Sequence, residues 1–269
     1  MTHLVLRFDV DTPRCVRAGM RALNRLSAEY EVPFVFFVNF GRAVDLAARR
    51  QKRPHNAPAG ISKLGTLQKQ TVLDIAELLT RNPRLIDVGA AQIETATALG
   101  SEIGVHGGSN HGTWQWAYPA WDSPRIAAEI EWSTTAFRKL LGRDPAGFSS
   151  PGWVSDERLA PLLSEAGYRY FADIHGTGEH VGDEGLINFA TALTGEPGGV
   201  GFFESCTARR IDTAQMLDEI ESAMVENSQP VILYDHPCFA GLRGRPLLCA
   251  LLDHAKNKGW KLVTLAESI

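Results

Sequence analysis

Two aspartates, Asp9 and Asp11, follow an apolar run near the N-terminus, in the segment LVLRFDVDTPR. Side chains two positions apart on a strand project to the same face, so both carboxylates are expected at one point where the strand ends. Like charges that close together repel unless a cation lies between them or one carboxylate binds a proton. The pair therefore predicts metal or acid–base chemistry, with capping of the following helix by the aspartates as the alternative.

Histidines follow two other apolar runs. His106 ends the run EIGVH and is followed closely by Asn110 and His111, and His236 ends PVILYDH. Asp173 comes just after YRYFA. The carboxyl ends of parallel strands meet on one rim of a barrel, where such enzymes place their active sites. A carboxylate and two imidazoles there would leave coordination positions open, which is typical of a catalytic metal site.

Apolar runs alternate with helical periodicity along the whole chain. The strands are predicted at 3–9, 33–40, 102–106, 146–149, 168–172, 186–191, 200–204, 230–236 and 260–264. The helices are predicted at 15–30, 123–141, 155–166, 212–226 and 245–258. The alternation has no break in composition, so it predicts a single α/β domain over residues 1–269, built as a parallel-stranded barrel.

Composition restricts the class of protein. The net charge of −4 over 269 residues argues against a protein that coats nucleic acid, and we expect no nucleic-acid partner. The four cysteines are scattered without a CxxC pair, which favours a reducing compartment. We expect neither a secretory signal nor a membrane-spanning segment, since no apolar stretch approaches about 20 residues. A cytoplasmic protein, soluble or peripheral to the membrane, is the expectation.

A basic insertion around 41–70 interrupts the alternation. It carries seven basic residues, including the run RRQKR at 49–53, against the single acid Asp45. Most runs of charge are solvated loops or helix faces. The alternative is a surface that meets phosphate, either on a ligand or on an anionic membrane.

The segments FDVD, HGGSNH, SSPGW, Asp173 and YDHP, in that order, resemble the five motifs of the NodB-type polysaccharide deacetylases, carbohydrate esterase family 4. The resemblance runs over nearly the whole chain and implies a distorted (β/α) barrel that removes acyl groups from sugars with a divalent metal. Within the family the chain is most similar to the 4-deoxy-4-formamido-L-arabinose-phosphoundecaprenol deformylases, through LRFDVDT, HGTWQW and GWxxD.

The resemblance assigns roles to individual residues. Asp11 corresponds to the metal-binding carboxylate and Asp9 to the general base that takes a proton from the attacking water. His236 corresponds to the acid that protonates the leaving amine, and Asp173 to the carboxylate that orients this histidine. Asp235 would point away from His236 in an extended strand, so it is expected to make a solvent or capping contact instead.

The metal ligands implied by the resemblance are Asp11, His106 and His111, and zinc is the expected metal. The family usually separates its two histidines by four positions, which here falls on Asn110, whereas His111 lies five positions away. Because imidazole binds zinc far better than an amide oxygen does, and a glycine pair allows the loop to bulge, His111 is favoured. Asn110 stays an alternative ligand or a donor to the developing oxyanion.

The third motif departs from the family pattern. Many relatives have an arginine there that steadies the base, and this chain has Ser149 and Ser150 instead. Expected contacts with the substrate are Ser150, Asn110, Trp114 and Trp153, since aromatic faces stack on sugar rings, although they also pack in cores.

The resemblance implies removal of an N-formyl or N-acetyl group from an amino sugar, carried on polyprenyl phosphate, in lipopolysaccharide or glycolipid modification. The protein would then work at the inner face of the membrane, with peripheral contact to anionic lipid. The alternatives are a deacylase of a soluble sugar or non-sugar amide, and a catalytically silent carbohydrate-binding relative.

Overall fold

A computed structural model describes residues 3–48, 64–177, 179–181, 185–195, 199–226 and 230–269. Apolar runs within these residues form strands of a single sheet. They are β1 (His3–Val10), β2 (Val35–Val38), β3 (Glu102–His106), β4 (Gly147–Ser149), β5 (Tyr170–His175), β6 (Glu179–Val181), β7 (Ile187–Thr191), β8 (Val231–Asp235) and β9 (Lys261–Leu262).

Seven parallel strands form a nearly closed barrel, in the order β7-β5-β4-β3-β2-β1-β8. The two end strands meet through Leu193, whose N–H donates to Ile232 at 3.0 Å and whose carbonyl accepts from Tyr234 at 2.9 Å. β6 pairs antiparallel with β7, and β9 pairs with β1. This architecture confirms the predicted parallel (β/α) barrel.

Helices cover the outside of the barrel. A π-helical turn (Cys15–Met20) leads into α1 (Arg21–Tyr30). The other helices are α2 (Thr66–Lys69), α3 (Val72–Thr80), α4 (Leu85–Ala98), α5 (His111–Ala117), α6 (Ser123–Leu141), α7 (Leu159–Glu165), α8 (Phe202–Arg209), α9 (Thr213–Glu226), α10 (Pro237–Ala240) and α11 (Arg245–Lys258). In the described part of the chain no helix is long and apolar enough to cross a bilayer.

Alternation along β1 separates the two layers of the core. Leu4, Leu6 and Phe8 belong to the large apolar cluster that packs beneath the helices. Val5 belongs to a smaller cluster that includes Phe37 and fills the barrel. Because successive side chains take opposite faces, the residues at positions 7, 9 and 11 follow Val5 towards the barrel axis.

Most predicted elements are observed within a few residues of their expected bounds, and the 123–141 helix is found as α6. The predicted strand at 200–204 is wrong, because Phe202–Arg209 forms α8. The carboxylate of Asp235 accepts the N–H groups of Phe203 at 2.8 Å and Glu204 at 3.2 Å, which caps the first turn of this helix. The run RRQKR at 49–53 lies outside the described residues.

A buried polar group ties the amino-terminal ends of two strands to the C-terminal segment. Glu102 begins β3 and accepts a hydrogen bond from the hydroxyl of Tyr170 and another, at 3.0 Å, from the N–H of Ala266. Burial raises the pKa of Glu102. The tyrosine hydroxyl is therefore one of the few donors that compensate this carboxyl group for its loss of water.

Tyr170→Phe should lower the free energy of unfolding by about 1–3 kcal/mol, because it leaves a buried oxygen of Glu102 unsatisfied. Urea denaturation followed by circular dichroism measures the change. Tyr30→Phe is the matched control, since its hydroxyl bonds Asp253 at the exposed surface and its loss should cost less than about 0.5 kcal/mol. Equal effects of the two substitutions would contradict the structural role given to Glu102.

Candidate active site

Three side chains with metal-binding atoms meet at the carboxyl ends of β1 and β3. Oδ1 of Asp11 lies 3.3 Å from Nε2 of His106 and 3.5 Å from Nε2 of His111. The three ligating atoms all lie within 4.8 Å of one another. This oxygen of Asp11 is buried and finds no hydrogen-bond partner in the described structure. A carboxylate and two imidazoles that converge in this way fit a divalent cation.

The loop between His106 and His111 is shaped by one positive backbone angle and one buried acid. Gly107 has φ +73°, a conformation that glycine adopts readily. The N–H of Ser109 donates to Oε2 of the buried Glu129 at 2.7 Å, and the N–H of His111 donates to the carbonyl of Arg42 at 2.8 Å. These contacts place the imidazole of His111 beside Asp11, although His111 lies five positions after His106.

Asn110 supports this loop from the adjacent position. It is the N-cap of α5, where its Oδ1 accepts the N–H of Thr113 at 3.1 Å. Its Nδ2 donates to the carbonyl of Val44 at 3.2 Å. Both polar atoms of the Asn110 side chain are therefore engaged with the backbone, and the cluster of possible ligands contains His111 instead.

The electrostatics of the cluster suit metal binding. Burial lowers the pKa of His111 to about 4, so its imidazole is neutral at pH 7, the form that binds metals. Burial opposes ionisation of Asp11, but the contacts with the imidazoles of His111, His106 and His236 outweigh it. These contacts hold the pKa of Asp11 well below its usual range, so the carboxylate is ionised.

Asp9 lies beside the cluster and is held by an arginine from its own strand. Its Oδ2 is 3.9 Å from Nε2 of His106. Nε and Nη2 of Arg7 donate to the two oxygens of Asp9, each at 3.0 Å, and both side chains are buried. A bidentate pair of this kind fixes the orientation of the carboxylate.

His236, which directly follows β8, also lies beside the cluster. Its Nε2 is 3.2 Å from Oδ2 of Asp11 and 3.0 Å from the hydroxyl of Tyr234. Although burial opposes protonation, the hydrogen bond with Asp11 and the charge of that carboxylate raise the pKa of His236 to about 9. The imidazole therefore carries a proton at neutral pH and can donate it.

Asp173 does not contact His236 among the described residues. One of its oxygens accepts the N–H of Ser150 at 2.7 Å, and burial raises the pKa of Asp173. Nδ1 of His236 is buried without a hydrogen-bond partner in the described part of the chain. No hydrogen bond or ion pair joins the two side chains in the described residues, and the orienting role of Asp173 stays a prediction. Asp235 makes a capping contact, one of the two contacts expected of it.

The two tryptophans expected at the substrate have different surroundings. Trp114 is fully buried, stacks against Tyr118 at 5.2 Å between ring centroids, and donates its indole N–H to Val154. This environment favours core packing rather than contact with a sugar. Trp153 is partly exposed, and its ring stacks on that of His175 at 4.0 Å. Its Nε1 has no hydrogen-bond partner among the described residues.

The family model for polysaccharide deacetylases matches residues 2–171, more than half of the chain. The chain belongs to the polysaccharide deacetylase family. The match covers β1 with Asp9, Asp11 just after this strand, and the segment that carries His106 and His111. The family assignment made from the sequence is confirmed, and members of this family generally depend on a divalent metal.

Solved structures share the deacetylase fold at low identity. A probable polysaccharide deacetylase from Pseudomonas aeruginosa PAO1 is 13% identical with a TM-score of 0.61, over 95% of this chain and 85% of that one. A family 4 acetyl xylan esterase from Clostridium thermocellum, in complex with a cobalt ion, is 14% identical with a TM-score of 0.52, over 98% and 89%. A family 4 pseudoenzyme from Bacillus anthracis is 10% identical with a TM-score of 0.56, over 99% and 64%.

Sequence reasoning missed two supports of this site. Arg7 pairs with Asp9, and the alternation that aligned Asp9 with Asp11 also aligns the arginine, so the signal was present in LRFDVD. Ser149, one of the two serines of the third motif, has its Oγ 2.7 Å from Nδ1 of His106. A hydrogen bond at Nδ1 orients the ring and leaves Nε2 for the metal.

His111→Gln should lower the affinity for Zn²⁺ or Co²⁺ by more than about 100-fold, since it removes one of three ligands, whereas supporting residues contribute about 10–100-fold. Competition with a chromophoric chelator measures the affinity. Asn110→Ser is the matched control, because serine preserves the cap of α5 and the histidine ligand, so affinity should change by less than about tenfold. The reverse ranking would identify Asn110 as the ligand.

Proposed function

We propose that this chain is a zinc-dependent hydrolase that removes an N-formyl or N-acetyl group from an amino sugar. The observation that carries the proposal is the convergence of Asp11, His106 and His111, with Asp9 and His236 both adjacent to them. A divalent cation held by the three ligands would supply Lewis acidity, which favours ionisation of water and polarises the acyl carbonyl. Two imidazoles and one carboxylate favour zinc as that cation.

Asp9 and His236 would carry out the two proton transfers of the reaction. Asp9 is acceptor-only when ionised and is fixed by Arg7, so it can take a proton from the attacking water. His236, whose Nε2 lies 3.2 Å from Oδ2 of Asp11, is placed to protonate the departing amine. Acid and base both lie beside the ligand cluster, Asp9 next to His106 and His236 next to Asp11.

The surface near this site supports a lipid-linked substrate. Four large apolar side chains of α2 and α3 are exposed, which we call the α2–α3 patch: Leu67 at 70%, Val72 at 70%, Leu73 at 81% and Leu79 at 55%. Contiguous exposed apolar surface is uncommon on soluble monomers and marks contact with a partner or a membrane.

The α2–α3 patch lies at the same end of the barrel as the site. Asp74 of α3 forms an ion pair with Arg14 at 2.7 Å, and Arg14 lies three positions after Asp11 in the sequence. Lys69 of α2 forms an ion pair with Glu204 at 3.0 Å. The basic run at 49–53 precedes α2 in the sequence. Apolar side chains and basic charge in adjacent segments suit an anionic lipid surface.

We therefore propose a polyprenyl-phosphate-linked amino sugar as the substrate, met at the cytoplasmic face of the membrane. A 4-formamido-4-deoxy-L-arabinose lipid is the specific candidate, supported by the sequence resemblance of LRFDVDT and GWxxD to deformylases of that lipid. The reaction would contribute to lipopolysaccharide or glycolipid modification. Activity on a free N-acyl sugar or a non-sugar amide alone would favour the alternative substrates.

Asp9→Asn should reduce turnover by about 10²–10⁴-fold, because it removes the proton acceptor. Mass spectrometry of products from lipid-linked and free N-formyl and N-acetyl amino sugars measures the rate. Zinc stoichiometry, determined on the same preparation, should stay near that of the wild type. A wild-type protein that binds zinc but turns over none of these substrates would favour a catalytically silent relative.

Val72→Ser/Leu73→Ser should weaken binding to vesicles that contain phosphatidylglycerol by at least about tenfold, because a buried Val or Leu side chain contributes about 1.5–3 kcal/mol. Flotation or sedimentation measures binding. Val225→Ser on α9 is the matched control, as this side chain is 85% exposed but belongs to another face. Glutamine at the four basic positions of 49–53 should also weaken binding to these vesicles, and unchanged binding by both variants would exclude the membrane contact.

A further inference from the structure

The site holds two aspartates that are chemically identical and almost equally close to one imidazole. Oδ1 of Asp11 lies 3.3 Å from Nε2 of His106, and Oδ2 of Asp9 lies 3.9 Å from the same atom. A cation in the cluster would attract both carboxylates. The proposed function requires that only Asp11 bind the metal, so something other than residue type must separate the roles of the two.

The two carboxylates differ in their partners. Asp9 is held at both oxygens by the guanidinium of Arg7, whereas Asp11 faces the three histidines of the site. A bidentate pair of this type is strong and directional. To ligate a metal, Asp9 would have to give up at least part of this pair and leave a buried arginine charge uncompensated, which is strongly unfavourable.

The side chain of Arg7 is also fixed, so it cannot move with Asp9 towards a metal ion. The side chain is fully buried, and its Nη1 donates to the carbonyl of Ala172 and, at 3.3 Å, to the hydroxyl of Thr191. Its guanidinium lies 4.6 Å from the ring centroid of Trp153 and 5.3 Å from that of Tyr234. These contacts come from β5, β7, β8 and the turn after β4, so the barrel holds the arginine from several sides.

We propose that Arg7 is a positioning residue that holds Asp9 outside the ligand set of the metal, and so reserves this carboxylate for proton transfer. The inference rests on the proposed function for the identity of the reaction, but its physical content concerns metal coordination alone. When the guanidinium is removed, Asp9 becomes a fourth protein ligand. The open catalytic site then changes towards a closed, structural one.

Arg7→Gln tests the proposal through metal binding. Affinity for Co²⁺ should rise at least about tenfold, because a supporting contact typically changes metal affinity by about 10–100-fold and here its loss adds a ligand. Competition with a chelator measures the affinity, and the visible absorption of bound Co²⁺ reports the change in coordination. Turnover should fall by about 10²-fold or more, as the base is lost.

A double-variant cycle distinguishes coordination by Asp9 from the simple loss of a nearby positive charge. In an Asp9→Asn background, Arg7→Gln should leave the Co²⁺ affinity and spectrum nearly unchanged, because the fourth ligand is absent. If the affinity rises equally in both backgrounds, only charge repulsion was removed and the proposal is overturned. A fall in affinity in the wild-type background, with thermal stability retained, overturns it as well.

Arg7→Lys covers the case in which Arg7→Gln does not fold. Lysine keeps the charge but not the fork that holds both oxygens of Asp9, so Co²⁺ affinity should rise less, and only while Asp9 is present. An unchanged affinity and spectrum in Arg7→Lys would then overturn the proposal. If the wild type turns over no N-acyl sugar while the cycle behaves as expected, the proposed function fails and the role of Arg7 stands.

Discussion

The repulsion between two carboxylates on one strand is the constraint on which this site depends. Asp9 and Asp11 project from the end of β1 towards the axis of a barrel with an apolar filling, where water screens charge poorly. Each negative charge therefore needs its own compensation. Arg7 compensates Asp9 from within the same strand, and the imidazoles of His106, His111 and His236 surround Asp11. The different partners give identical side chains different chemistry.

The barrel brings these partners together because its strands are parallel. His106 ends β3 and His236 ends β8, and both strands deliver their carboxyl ends to the rim where β1 ends. His236 lies close enough to Asp11 to be kept protonated, and its hydrogen bond with Tyr234 restrains the ring. The proposed acid, ligand set and base thus lie at the carboxyl ends of β1, β3 and β8, on one rim of the barrel.

The loop after β3 shows how a departure from the usual spacing is accommodated. Gly107 takes a positive φ, the buried Glu129 binds the N–H of Ser109, and Asn110 caps α5. Each contact satisfies a backbone group that the longer loop would otherwise leave unpaired. The histidine ring is placed by these backbone contacts, so the count of intervening residues matters less than the position where the helix begins.

The amino-acid sequence by itself determined the features that depend on local periodicity: the alternation that aligns Asp9 with Asp11, the strand ends at His106 and His236, and the barrel class. The family resemblance added the roles of these residues. The same alternation places Arg7 on the face of Asp9 and Asp11, although its pairing with Asp9 was not predicted. Alternation states which residues share a face, but it does not state which of them form a pair.

Tertiary structure alone decided the contacts between residues distant in sequence. It made 202–209 a helix, because the carboxylate of Asp235 caps its first turn from a strand far along the chain. It buried Trp114 in the core, and it joined Asp173 to Ser150 rather than to His236. A buried polar group bonds whichever partner the packing brings within about 3 Å. That choice is made by the whole barrel and has no local signature in the sequence.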